Sequence, residues 1–140
     1  MKIPIGKFVI QEYVNEDVLL KYGPDRCLLA LDYRILLFNA TLQSRYKKKV
    51  YINTWFFKGK LSDRGLRVMT GLPDVLSQHY FGRATDSNVE GLTPEEVRVD
   101  ILKNPDVFNM ITRLESGVNW IHADCAYTGQ AGISLFNPVK

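Results

Sequence analysis

His79 and His122 are the only two histidines in the chain. Any site built on imidazole must therefore use both. His79 stands in the run Leu76-Ser77-Gln78-His79-Tyr80-Phe81-Gly82-Arg83-Ala84-Thr85-Asp86, which places a carboxylate shortly after it. His122 stands in Trp120-Ile121-His122-Ala123-Asp124-Cys125. A catalytic zinc takes three protein ligands drawn from His, Asp/Glu and Cys, and keeps a fourth position for water. His79, Asp86 and His122 supply two neutral nitrogens and one carboxylate oxygen, a donor set that suits such a metal.

The first run reads Ser77-x-His79-x-x-Gly82-x-Ala84-x-Asp86, and far downstream follows His122-x-Asp124. This pattern resembles the zinc peptidases of the D-alanyl-D-alanine carboxypeptidase type, which share their fold with the signalling domain of hedgehog proteins. It matches the family's first motif at every fixed position. The looser likeness extends from about Phe8 to Pro138 and is nearest to small phage-encoded members. The resemblance implies that His79, Asp86 and His122 hold Zn2+. It also implies that Ser77 helps to hold substrate. Family members often carry an Asn-Ser-Gly-Tyr-Arg-like segment whose Arg binds substrate carboxylate or carbonyl groups. Asn53-Thr54-Trp55 begins like it, but no Arg follows at once. Arg67 is the first candidate for that role and Arg64 the second. An arginine suits it because its planar fork grips an oxyanion through two hydrogen bonds.

A metal peptidase also needs a base. Zinc lowers the pKa of its water towards neutral, and a carboxylate then takes the proton and passes it to the leaving amine. Several relatives place an acidic residue three positions before the second ligand His, where this chain has Asn119. Two other carboxylates are available. Glu115 would face His122 if Ser116-Gly117 turns a hairpin between them. Asp124 lies two residues past His122 and leaves the same face of a strand. Asp124 could equally orient the ligand imidazole, a common arrangement around metals.

With 140 residues, the sequence predicts one domain with one core. Its 46% apolar and 24% charged residues are ordinary for a globular protein. A net charge of +3 favours an acidic partner such as an anionic cell wall. No basic stripe interleaved with aromatics points to nucleic acid. The run Arg45-Tyr46-Lys47-Lys48-Lys49 suits a solvated helix end and its dipole. The N-terminus lacks the apolar region of a signal peptide, and no apolar run is long enough to span a bilayer. The expectation is a chain made in a cytoplasm. Two cysteines make no disulfide framework. Cys27 falls in an apolar helix face, and Cys125 should face away from His122 and Asp124.

The elements that must position these residues follow from local signals. Phe8–Ile10 reads as extended. Asn15 caps a helix from Glu16 to Tyr22 that Gly23 stops. Pro24-Asp25 opens a long helix ending near Lys48. Its apolar face is Leu28, Leu31, Ile35, Phe38, Leu42 and Tyr46, widened by Leu29, Leu36 and Leu37. Lys49–Trp55 is rich in β-branched and aromatic residues and reads as a strand. Phe56–Asp63 and the stretch through Thr70-Gly71-Leu72-Pro73 read as loops leading into the first motif, where Gln78 would point away from the site if the piece is extended. Thr93-Pro94-Glu95-Glu96 starts a helix that Asn104-Pro105 ends near Lys103. Ile111–Glu115 should pair with Val118–Ala126 across Ser116-Gly117, and Ile133–Phe136 offers a last strand.

The fold expectation is α+β, a small antiparallel sheet packed against helices, of the hedgehog/D-Ala-D-Ala peptidase kind. The functional expectation is a zinc metallopeptidase, monomeric, cutting an amide bond in a peptidoglycan peptide as a carboxypeptidase or endopeptidase. Its setting would be a phage lysis protein or one that breaches the cell wall from the virion, with no membrane insertion. The alternative is a zinc-containing binding module of the same fold that cuts nothing.

Overall fold

In the computed structural model of the chain, residues 1–68 and 76–137 are described. The expected loop at Thr70–Pro73 lies outside them. Helices α1 (Ile10–Tyr13), α2 (Glu16–Tyr22), α3 (Pro24–Ala30) and α4 (Tyr33–Tyr46) come first. Strand β1 (Val50–Tyr51) follows, then β2 (Ala84–Val89), α5 (Pro94–Lys103), β3 (Arg113–Glu115), β4 (Ile121–Asp124) and β5 (Ser134–Phe136). The five strands form one sheet in the order β1-β2-β4-β3-β5.

The α+β class is as expected, but the sheet is mixed rather than antiparallel. β1 with β2, β2 with β4 and β3 with β4 pair antiparallel, while β3 and β5 pair parallel. The antiparallel strand β4 carries the chain back along the sheet, and residues 125–133 then cross the Arg113 end of β3 so that β5 lies on its other edge. Turn signals in the sequence mark the β3–β4 hairpin but carry no information on the direction of β5.

Local signals set the helix ends well. The Asn15 side chain accepts a hydrogen bond from Asp17 N, and Gly23 closes α2 at φ 81°. The Thr93 side chain accepts from Glu96 N at the start of α5. The long helix expected from Pro24 is in fact two, because the chain breaks at Leu31-Asp32. Asp32 caps α4 by accepting from Arg34 N. Its own N–H donates to the carbonyl of Gly82, 2.9 Å away. A tertiary hydrogen bond and a cap thus outcompete a helical run that periodicity alone would continue. The break turns Leu29 to solvent, contrary to expectation, while Leu31, Ile35, Leu36, Phe38 and Leu42 stay buried.

Four strands are shorter than expected. Ile10 begins α1 instead of extending the pairing of Val9 with Lys2. Only Val50–Tyr51 of the Lys49–Trp55 run pairs with β2, and Trp55 opens a 3-10 turn. The N–H of Asn53 donates to Glu12 O rather than to a strand neighbour. The hairpin strands are also trimmed, to Arg113–Glu115 and Ile121–Asp124. β propensity marks where strands can form, and partners decide how far they run.

The hydrophobic core lies between the helices and one face of the sheet. Phe38 and Phe108 meet edge to face at 6.1 Å beside Ile35 and Leu42 of α4. From the sheet, Leu114, Ile121 and Ala123 join this cluster. Period-two alternation then sends Arg113, Glu115, His122 and Asp124 to the opposite face. One core therefore aims the polar residues of two strands at one place.

Gly82 ties that place to the helices. It has φ 68°, and a Cβ there would sit 2.0 Å from the carbonyl oxygen of Ala30. Gly91 has a similar φ of 79° but open space around it. Both alanine variants carry left-handed strain, of about 1–2 kcal/mol. Gly82→Ala must also displace backbone, and is expected to cost at least about 2 kcal/mol more than Gly91→Ala. Denaturant unfolding of the two variants checks this, and equal losses would contradict the close approach.

Candidate metal centre

The site is set by two strand registers and one turn. β2 and β4 pair so that Asp86 stands directly opposite His122. Facing residues of an antiparallel pair have Cβ atoms about 4.5–5.5 Å apart, which puts the carboxylate against the ring. The observed distance from Asp86 Oδ1 to His122 Nδ1 is 2.9 Å. Asp86 is further fixed by its N–H, which donates to Arg64 O at 2.8 Å.

His79 arrives from the segment before β2. This segment is a 3-10 turn, Gln78–Phe81. Ser77 caps it by accepting from His79 N at 3.3 Å, and Gly82 ends it in the left-handed region. His79 Nδ1 lies 3.0 Å from the carbonyl of Gly65, so it carries the proton and donates. Its Nε2 is left facing Asp86 Oδ2 at 3.4 Å. Gly65 has to be glycine, because a Cβ would meet the carbonyl oxygen of Tyr13 at 2.0 Å.

His79, Asp86 and His122 each offer one ligand atom, and these atoms lie within 4.8 Å of one another. The triad read from the sequence is assembled. Among the described residues, it is the one His/Cys/Asp/Glu cluster with this geometry. His79 and His122 are buried, which removes competing water from both rings.

The donor set fits a divalent cation on further grounds. Each imidazole has one nitrogen tied to the protein and the other turned inward. For His122 the tied nitrogen is Nε2, 2.9 Å from Asp124 Oδ2. This is how proteins fix the tautomer of a ligand histidine. Burial works to lower the His122 pKa, but the carboxylates of Asp124 and Asp86 outweigh it and bring it to about 9. Burial likewise pushes Asp86 up, yet hydrogen bonds from His122 and His79 hold its carboxyl far below the usual range. The centre of the triad thus favours positive charge. A proton on Nδ1 or a metal ion satisfies the same field.

The two candidate bases occupy different positions. Asp124 is fully buried behind His122, on the Nε2 side. Arg113 holds it through both carboxylate oxygens, and Ala126 N donates to Oδ1 at 3.1 Å. Burial opposes its ionisation, but the bonds from His122 and Arg113 prevail and lower its pKa. Glu115 lies on the Nδ1 side instead. Continuing the register of Leu114 with Ala123 places it across from His122, and its Oε2 is 3.9 Å from Nδ1. Glu115 therefore flanks the side of the ring that faces the triad, and Asp124 does not.

Arg64 and Arg67 both line an open groove that includes Asp86, Lys60, Asn119 and Trp120. Arg64 is next to the triad, and Asn53 Oδ1 fixes its backbone by accepting from its N–H at 2.9 Å. Burial pushes the Arg64 pKa down, with the charge of Asp86 opposing. The Arg67 guanidinium turns elsewhere. It donates to Asp63 O at 2.9 Å and lies 5.8 Å from the Tyr80 ring centre. Arg64 is thus better placed than Arg67 to meet a group held at the triad. Cys125 faces away as expected, with its Sγ against Met110 O and its thiol pushed up to about 12 by burial. Cys27 is buried in the core.

Two contributors escape sequence reading. The Gly65 carbonyl is backbone, which no side-chain pattern reveals. Arg113 could have been flagged, since it shares a strand face with Glu115 two residues on.

No protein-family profile, curated protein or solved structure matches this chain. The described residues contain no helix long and apolar enough to cross a membrane.

One divalent metal per chain is the expected content after loading and dialysis, measured by elemental analysis. His122→Ala should retain none tightly, since it leaves two ligands. A wild-type chain that keeps no stoichiometric metal would remove this reading of the triad.

Proposed function

We propose that the chain is a zinc-dependent peptidase that hydrolyses an amide bond in peptidoglycan stem peptides. The observation that carries the reading is the arrangement around His122. Its Nδ1 turns into a three-ligand triad, Glu115 flanks that side at 3.9 Å, and Asp124 closes the other. The likeness of Ser77-x-His79-x-x-Gly82-x-Ala84-x-Asp86 to the D-alanyl-D-alanine carboxypeptidase type supports the choice of metal and substrate. Two imidazoles and a carboxylate are a usual catalytic zinc set.

When bound, zinc polarises a carbonyl and makes a nearby water more acidic. Glu115 takes the proton from the attacking water and delivers it to the departing amine, the work of a positioned general base and acid. Asp124 holds the His122 ring in the tautomer that frees Nδ1. Arg64 offers the groove a cation for a substrate carboxylate or carbonyl oxygen. Ser77 holds the turn that presents His79, and this capping is its role in the proposal. Wall peptides carry free carboxylates, which fit a groove bearing Lys60 and Arg64. The proposed setting is a monomeric phage lysis or virion-associated protein acting at a bacterial cell wall.

The test is digestion of purified peptidoglycan by the zinc-loaded chain, with products identified by mass spectrometry. Glu115→Gln keeps the side chain's size but cannot take a proton. Its turnover should fall roughly 10²–10⁴-fold with zinc affinity nearly intact. At saturating zinc, Asp124→Asn should retain far more turnover than Glu115→Gln. The reverse order would move the base to Asp124. A wild-type chain that holds zinc and cuts nothing would favour the non-catalytic binding module.

A further inference from the structure

Arg113 touches no ligand atom of the triad, yet it makes the most complete ion pair near it. Its Nε lies 2.9 Å from Asp124 Oδ1 and 3.1 Å from Oδ2, and its Nη2 lies 2.7 Å from Oδ2. The pair follows from register, because Arg113 stands opposite Asp124 between β3 and β4. The guanidinium also lies over the ring of Phe136 at 4.0 Å from its centre. That same ring meets the His122 ring edge to face at 5.6 Å and 79°. Phe136 belongs to β5, the strand that pairs parallel to β3.

We propose that Arg113, seated on Phe136, is a positioning residue that sets metal affinity by locking Asp124 and, through it, the His122 ring. The inference rests on the metal reading of the triad but not on peptidase activity. Asp124 presents two equivalent oxygens, and one hydrogen bond to an imidazole would leave it free to pivot. A bidentate arginine fixes the plane of the carboxylate. The bond from Ala126 N on Oδ1 fixes which oxygen remains for His122. Oδ2 then accepts from His122 Nε2, and Nδ1 is held towards Asp86. Phe136 limits both partners at once, since Arg113 stacks on its face and His122 packs against it.

Simple electrostatics makes the opposite prediction, which gives the proposal its test. Removing a cation near a metal site should tighten metal binding. Removing a positioning residue should weaken it. Arg113→Met keeps most of the stem that covers Phe136 while losing the fork. Zinc dissociation constants from chelator competition are expected to rise about 10–100-fold in Arg113→Met, the usual loss when a partner that orients a ligand is removed. Arg113→Lys keeps the charge and loses the planar fork, so it should fall between the two. If Arg113 acts through Asp124, then Arg113→Met combined with Asp124→Asn should bind no more weakly than Asp124→Asn alone. Co2+ spectra of the same variants should show a changed ligand field in Arg113→Met and a milder change in Arg113→Lys. Unchanged or tighter binding in both single variants overturns the proposal, as do losses that multiply in the double variant. A wild-type chain that binds no zinc removes the metal centre itself. A wild-type chain that binds zinc equally to Arg113→Met removes only the role of Arg113.

Discussion

A half-buried carboxylate, Asp86, and a fully buried one, Asp124, face one imidazole from opposite sides. Burying a carboxylate costs several kcal/mol unless positive charge and hydrogen bonds compensate it. Much of the architecture around the sheet can be traced to that requirement. His122 lies between the two acids, Arg113 compensates Asp124, and the inner face of His79 approaches Asp86. What remains is a pocket of negative potential between three ligand atoms. A cation belongs there, whether a proton on Nδ1 or a divalent metal.

The sheet order supplies the geometry. β4 sits between β2 and β3, so the residues on either side of His122 come from different strands. β2 contributes Asp86 at the facing position, and β3 contributes Glu115 and Arg113. A slip of one residue in either pairing would turn these side chains into the core and bring Leu114 or Ala123 out. The apolar cluster of Leu114, Ile121 and Ala123 against α4 and α5 therefore protects the site as well as the fold. On the far side, the break between α3 and α4 serves the same end. It frees the Asp32 N–H for Gly82, and so anchors the turn that delivers His79.

Much of this was legible from local chemistry. Asn15, Gly23, Thr93 and Pro94 act on backbone groups within a few residues, and the helices they bound lie where the sequence places them. The Ser116-Gly117 turn signalled a hairpin, and a hairpin brings Glu115 across from His122. The two histidines were legible because the chain has no others, and Asp86 because it closes the pattern Ser77-x-His79-x-x-Gly82-x-Ala84-x-Asp86. Errors arose where a distant partner competes with a local preference. Ile52 to Trp55 has strand composition, but Glu12 takes the Asn53 N–H. Leu29 fits an apolar helix face, but the break at Asp32 turns it to solvent.

By itself the amino-acid order determined the ligand types, the period-two alternation that keeps His122 and Asp124 on one face, and most helix ends. These depend on covalent spacing and on backbone groups close in the chain. Tertiary structure alone decided which nitrogen of each imidazole is free, because that depends on Gly65 and Asp124 accepting the other. It also decided that Glu115 and Asp124 flank opposite nitrogens of His122, and that Arg64 rather than Arg67 lies beside the triad. Direction in space around a ring is not encoded in spacing along a chain. It is fixed only when the strand registers close and the buried charges must each find a partner.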